Sequence, residues 1–279
     1  MPVSKSIIKK HNEMLYPTVR VRAKGTGGSG TVVYSKRHNE EQHTFVITNH
    51  HVVAKCIKIQ KKWNPVKKKK IDTEILDTVY VEFFKYNNFS HCIGSFAVEA
   101  DIVAYSEVEG GQDWALLRLR DKENKAEYIA NKFPEGEIEN IHIFDTCYAV
   151  GASLGHAPIA TFGHICYTDD EIDHYKYWMS TAQTIFGNSG GALYRFSEKR
   201  DRYEYIGIPS RITVQPMGFS SDPITHMGYF IPIERVYNLL RDNHYDFIYD
   251  SSISFEECAK LRGDLRTENS KDDDDEDSE

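Results

Sequence analysis

Long hydrophobic runs are missing from this chain of 279 residues. No stretch of about 18 apolar residues occurs, which excludes a membrane-spanning helix. The start, MPVSKSIIKKHNEM, carries charges where the apolar part of a secretory signal would have to lie, so an export leader is not expected. Cysteines are few and scattered: Cys56, Cys92, Cys147, Cys166 and Cys258 are odd in number and never form a Cys-x-x-Cys pair. That pattern argues against a disulfide framework or a zinc site and for a reducing, cytoplasmic setting. Proline is also scarce, at nine, while Tyr (17) and Phe (14) are plentiful, a balance that suits a strand-rich interior. The glycine-rich GTGGSG (25–30) is no phosphate loop, because no Gly-Lys-Ser/Thr follows it and it joins two strands.

What is present is short strands in two series. Residues 19–23, 31–35, 44–48, 79–84, 96–105 and 114–119 are β-branched or aromatic runs. With no helical periodicity between them they argue for a sandwich or barrel. A polar stretch, 121–140, interrupts, and a second series follows at 142–150, 161–167, 175–182, 192–196, 203–208 and 227–231. Helical spacing appears only late, in Ile233, Val236, Tyr237 and Leu240, and again in Phe255, Cys258 and Leu261. The net charge of −8 is polarised. From Glu268 to Glu279 there are eight acidic residues and one lysine, whereas 55–70 holds eight lysines and no acid. The acidic end cannot bury apolar surface and is expected to be disordered.

Three segments carry chemistry. Gly187-Asn188-Ser189-Gly190-Gly191 offers a hydroxyl in a tight turn, where the N–H groups of Gly187 and Ser189 can converge on one oxygen. Thr44 to Val53 is an apolar strand that ends in His50-His51, and Gly111-Gln112-Asp113 puts one carboxylate directly before an apolar strand. No further ligands accompany the histidines, so no metal is expected. Taken singly, a glycine turn, a satisfied histidine and a turn aspartate would mean little. Together they form a nucleophile, a base and an orienting acid in the chain order His, Asp, Ser, which is that of the chymotrypsin group and not of subtilisin or the α/β-hydrolases.

At this point the sequence resembles a known family, the trypsin-like serine peptidases, and among them the high-temperature-requirement (HtrA) branch. The resemblance runs from about residue 16 to 240 through GSGTVV (28–33), ITNHHVV (47–53), DWALLRL (113–119), AVGASLGHAPIATFGHI (149–165), GNSGGAL (187–193), YIGI (205–208) and MGYFIPIERV (227–236). It implies an all-β fold of two six-stranded antiparallel barrels with a short helical segment at the C-terminal end. The corresponding division is an extension (1–15), a first barrel (16–125), a link (126–140), a second barrel with its closing helix (141–240), a short helical segment (241–266) and an acidic tail (267–279). Carried over, His51 is the general base, Asp113 its orienting partner and Ser189 the nucleophile, with the N–H groups of Gly187 and Ser189 as the oxyanion hole. The implied activity is peptide-bond hydrolysis through an acyl-enzyme, with a polypeptide as partner and no cofactor.

The departures from that family are informative. Asn188 stands where digestive relatives place the aspartate that pairs with a new N-terminus, so zymogen-style activation is not expected. Val52 follows His51 where secreted relatives have a disulfide cysteine. A PDZ module is not expected, since too few residues follow Leu240. Gln183 occupies the pocket-floor position, so the site has no buried anion to select Lys or Arg. Ser210 and Ile212 are expected along the pocket, and a small or medium apolar residue before the scissile bond is the expectation. Lys67, Lys68, Lys69 and Lys70 head a candidate basic rim, for acidic protein or nucleic acid, or else a solvated hairpin. The alternative class is a catalytically silent scaffold on the same fold; a third is a different acyl hydrolase, for which esters would be the test.

Overall fold

The computed structural model describes residues 3–65, 68–106, 111–217 and 220–263. Six strands close the first barrel: β1 (Thr18–Ala23), β2 (Thr26–His38), β3 (Glu41–Thr48), β6 (Val79–Asn87), β7 (His91–Tyr105) and β8 (Ala115–Leu119). Their order around the barrel is β1-β2-β3-β8-β7-β6, every pair antiparallel. Period-2 side chains explain the closure: Val19 and Val21 are fully buried, while Arg20 and Arg22 point out between them. Val32, Val46, Val81 and Leu117 meet them inside, each such side chain contributing about 1.5–3 kcal/mol on burial.

The second barrel repeats the plan with β9 (Thr146–Gly151), β10 (Ile159–Ile172), β11 (Tyr175–Ser180), β12 (Ala192–Ser197), β13 (Arg202–Met217) and β14 (Ser220–Pro232), in the order β10-β11-β14-β13-β12-β9. Val150, Ile165, Leu193, Ile206, Ile208 and Phe230 fill it. The two-barrel architecture expected from the resemblance is the one observed. One feature was read only as the alternative of a solvated hairpin, and another not at all. Between the His51 helix and β6, strands β4 (Ile57–Asn64) and β5 (Lys69–Leu76) form a ribbon of their own. Near the start, helix α1 (Lys5–Lys10) runs on through a wider turn, His11–Leu15.

Both the start of the chain and the polar link strap the barrels together. In the link, the N–H of Ala130 bonds the Val32 carbonyl of the first barrel, and the Asn131 carbonyl accepts from Tyr205 N–H of the second. At the start, Tyr16 donates to the Phe89 carbonyl while Glu13 accepts from Tyr203 N–H at 2.7 Å. One compact unit therefore runs through both barrels to Glu234, and Arg235 opens a second, smaller one. That unit holds most of helix α3 (Ile233–Asp242) and helix α4 (Phe255–Leu261), with Tyr237 stacked on Tyr249 and the Arg262 guanidinium over the Tyr245 ring. Among the described residues no helix is long and apolar enough to cross a membrane. The five cysteines are free, three of them buried. Lys67 and the acidic tail, 267–279, lie outside the described residues.

The glycine-rich segment corrects the sequence reading. It does not separate two strands; β2 begins at Thr26 and passes straight through Gly27, Gly28, Ser29 and Gly30. The reason is close approach. A Cβ at Gly28 would lie 2.7 Å from Val52 and 2.9 Å from the Ser189 carbonyl oxygen, and one at Gly30 would lie 2.7 Å from Val46.

Candidate active site

Strand β3 ends at Thr48, and Asn49 turns the chain into the short helix α2 (His50–Val53). That turn sets His51 at the surface, with half its side chain exposed. Asp113 stands just ahead of β8 in the left-handed backbone region, φ +52°, which aims its carboxylate back at α2. Strain of that kind persists only where surroundings over-determine it. Here Asn49 Nδ2 donates to the Asp113 carbonyl at 2.6 Å, and the Tyr177 hydroxyl donates to the preceding Gly111 carbonyl at 2.7 Å.

The Asp113 carboxylate is 13% exposed and fully engaged. His51 Nδ1 lies 2.9 Å from each of its oxygens, the His51 backbone N–H donates to Oδ1 at 3.0 Å, and the Ser210 hydroxyl donates to Oδ2 at 2.5 Å. Burial by itself would raise this carboxyl. The hydrogen bond and charge of His51, the Ser210 hydroxyl and the His51 backbone outweigh it and hold Asp113 below the usual carboxylate range. The group is therefore an anion at neutral pH. His50 differs sharply from its neighbour. It is buried, stacked on Tyr105 at 5.6 Å, and burial pushes its pKa down despite the nearby Asp113 charge.

Ser189 belongs to the second barrel, in the turn ahead of β12. The turn is welded to the first barrel through Ser29: its backbone N–H donates to the Ser189 carbonyl (2.8 Å), and its hydroxyl donates to the Gly187 carbonyl (2.5 Å) while accepting from Ala152 N–H (2.7 Å). Gly28 sits between Val52, the neighbour of His51, and the Ser189 carbonyl, touching both. The Ser189 hydroxyl has no hydrogen-bond partner among the described residues, so the contact with His51 that the sequence reading implies is not formed here.

The turn's own geometry accounts for its glycines. Gly187 has φ +96° and Gly190 φ +84°, and a Cβ at Gly190 would meet the Ser29 carbonyl at 2.3 Å. The Phe186 carbonyl accepts from Leu154 N–H at 2.9 Å, so the Gly187 N–H of that trans peptide points the other way. Asn188 and Gly190 spend their N–H groups on Ile185 and Pro209; those of Gly187 and Ser189 have no partner among the described residues. Asn188, 4% exposed, accepts at Oδ1 from the buried Ser153 hydroxyl (2.7 Å) and from Ile185 N–H (3.0 Å).

Of the expected pocket residues, Gln183 is exposed, with its carbonyl accepting from Thr161 Oγ1 at 2.7 Å. Ile212 is half-buried on β13 opposite Gly228. Ser210 spends its hydroxyl on Asp113, a role the sequence reading did not assign it. Ser29, Asn49 and Ser153 were missed as well; nothing in their sequence neighbourhoods marks a hydroxyl or amide that acts across 35 to 158 residues. Among the described residues no group of three or more His, Cys, Asp or Glu is placed to hold a metal ion. Lys68, Lys69 and Lys70 are exposed on the β4–β5 ribbon.

Residues 28–200 match the trypsin-like peptidase domain. No curated protein matches the chain. Among solved structures, the serine endoprotease of Yersinia pestis is similar at 19% identity and TM-score 0.53, covering 86% of this chain and 67% of its own. The HtrA-type protease AlgW, solved with a decapeptide, is similar at 16% identity and TM-score 0.57, with 88% and 69% covered. Deg5 gives 17% identity and TM-score 0.54, with 85% and 94% covered. At these identities the likeness is one of fold.

Proposed function

Because the chain belongs to the trypsin-like peptidase domain family and is a serine endopeptidase of that kind, we propose that His51, Asp113 and Ser189 are its catalytic triad. The observation that carries this reading is the grip of a half-buried, ionised Asp113 on His51 Nδ1. With Nδ1–H donating to the carboxylate, the lone pair of the neutral ring sits on Nε2, which makes Nε2 the base.

The reaction follows from these groups. Ser189 Oγ attacks the substrate carbonyl carbon as its proton passes to His51 Nε2. The carbonyl oxygen, now an anion, takes the unpartnered N–H groups of Gly187 and Ser189. His51 returns the proton to the leaving amine, and water repeats the sequence on the acyl-enzyme. Asp113 stays ionised and stabilises the imidazolium. The Ser189–His51 hydrogen bond, open in the free enzyme, closes as substrate fills the crevice, as such contacts commonly do.

The substrate is a polypeptide; AlgW, a structural neighbour, was itself solved with a decapeptide. Before the scissile bond the site takes a small or medium apolar side chain, since Gln183 supplies no anion and Ile212 narrows the wall. The free cysteines favour a cytoplasmic setting. The test is an active-site-directed fluorophosphonate. It labels Ser189 in the native chain, and His51→Ala abolishes labelling; Ser189→Ala lowers turnover by about 10⁴-fold or more, since triad members act as a unit. A chain that stays unlabelled and cleaves nothing in a broad peptide library would instead be a scaffold.

A further inference from the structure

The lysine segment takes no part in this chemistry, yet it has a defined shape. Strands β4 and β5 pair with each other and with neither barrel. Their register places Ile59 opposite Glu74, Lys61 opposite Asp72 and Trp63 opposite Lys70, so Asp72 and Glu74 share the face of Ile59, Lys61 and Trp63, while the end of the ribbon around Trp63 carries Lys62, Lys68, Lys69 and Lys70 and no acid. Ile59 is 65% and Trp63 63% exposed, whereas Trp114 and Trp178 are 0% and 3%. Lys62, Lys68, Lys69 and Lys70 have no ion-pair partner among the described residues. A tryptophan standing in water among unpaired lysines marks an interaction surface.

That face is tied to the active site. Glu74 accepts from the Tyr105 hydroxyl, and the Tyr105 ring stacks on His50 at 5.6 Å and 12°. The chain from His51 to Ile57 is short-helical, so the ribbon begins within about 10 Å of His51 along that path. Eight residues of strand then extend it by about 26 Å.

We propose that the Trp63 end of the β4–β5 ribbon is an exosite that binds an acidic segment of the polypeptide substrate outside the cleft; the inference rests on the peptidase reading above. Charge complementarity selects the ligand class: Lys62, Lys68, Lys69 and Lys70 attract carboxylates, and Trp63 gives an apolar contact among them. A nucleic acid fits less well. Single strands stack successive bases on several aromatics, and this ribbon offers one. A polypeptide is moreover what the adjoining cleft takes, so one chain can occupy both surfaces with a gain in effective concentration.

The test separates binding from cleavage. The full-length Ser189→Ala chain is titrated with a peptide carrying a run of Asp and Glu next to an apolar residue, with Trp63 emission as the signal. Saturable binding is expected, weakened about tenfold or more by Lys68→Gln with Lys70→Gln and by raised salt. Trp63→Phe removes the emission change, and a neutral peptide of equal length produces none. In the active chain, an acidic segment attached to a cleavable peptide raises kcat/KM, and the double lysine variant cancels that gain while leaving the neutral peptide's rate unchanged. Equal rates for acidic and neutral substrates, with no binding to the Ser189→Ala chain, would overturn the exosite alone. Acidic peptide bound while no peptide is cleaved would instead remove the peptidase chemistry. Tighter binding of a single-stranded oligonucleotide than of the acidic peptide would assign the ribbon to nucleic acid and overturn the proposal.

Discussion

Asn188 stands where related digestive enzymes use a charged residue, and its neighbours explain how the turn holds without one. Its Oδ1 is buried and doubly satisfied, by Ser153 Oγ and Ile185 N–H. Removing one donor from a buried acceptor costs about 1–3 kcal/mol. Because Asn188 lies between the two N–H groups proposed for the oxyanion, that loss should fall on the transition state. Ser153→Ala is expected to lower kcat about tenfold or more with little change in KM, the pattern of an interaction made late in the reaction; an unchanged kcat would show that the turn stands without Ser153. Asp113 gives the sharper case. Asp113→Asn keeps the shape but presents an amide donor to Nδ1, favouring the wrong tautomer, so a fall of about 10⁴-fold in kcat is expected. Steady-state kinetics on one peptide measure both. At this scale the sequence singled out the three side chains of the proposed triad through their order and local motifs. It did not disclose Ser29, Ser153 or the role of Ser210, because Ser29 and Ser210 act on partners in the other barrel and Ser153 on a turn that only the closure of the second barrel brings near.

Among the elements, the strands were legible because valine and aromatic side chains alternate with polar ones at the spacing a barrel wall demands. The failures have physical causes. GTGGSG reads as a loop because glycine favours turns, yet in β2 its glycines make room for Val52, Val46 and the Ser189 carbonyl. The β4–β5 ribbon was read only as a solvated hairpin, its strands left unassigned, because lysines interrupt the apolar members of β4, Ile57, Ile59 and Trp63. This contrast yields a prediction about strand glycines. Gly28→Ala drives a methyl into Val52 and the Ser189 carbonyl, and overpacking of this kind costs about 1–3 kcal/mol. Gly94→Ala, in β7, meets nothing within 4 Å. Gly28→Ala should therefore lower Tm by several degrees and peptide cleavage by about tenfold or more, while Gly94→Ala leaves both near native. If the two variants behaved alike in melting and cleavage, close approach would not be why β2 carries its glycines.

For the whole molecule, acid is the condition that should discriminate between the forces holding the two barrels. Several carboxylates titrate below their ordinary range in the folded state. At Asp113 and Glu82 burial pushes upward, but hydrogen bonds, from His51 and Ser210 in one case and from Ser95 and Arg20 in the other, outweigh it. Glu137 is brought down to about 2 by its bonds to Arg200 and Lys199. A depressed carboxylate lends stability that is present above its unfolded pKa and lost as pH falls toward the folded one, so this loss belongs below about pH 4. Glu13 runs the other way: burial raises it, its contribution is present at low pH and fades as pH rises, and it therefore blunts the acid loss. The histidines act in a higher window. Burial lowers the pKa of both His43 and His50. The unfolded chain then binds protons that the folded chain refuses, and stability falls as pH drops below about 6.5. Two declines follow, a shallow one from about pH 6.5 to 5 and a steep one below about pH 4. The measurement is the urea midpoint across pH, read from the emission of Trp114 and Trp178, one buried in each barrel. His43→Gln should make the upper decline shallower, leaving the part that His50 contributes, and keep the lower one in place, since Gln carries no proton to refuse. A midpoint constant from pH 7 to 5 would mean that neither histidine is held neutral by burial, and the acid sensitivity would then rest on the carboxylates alone.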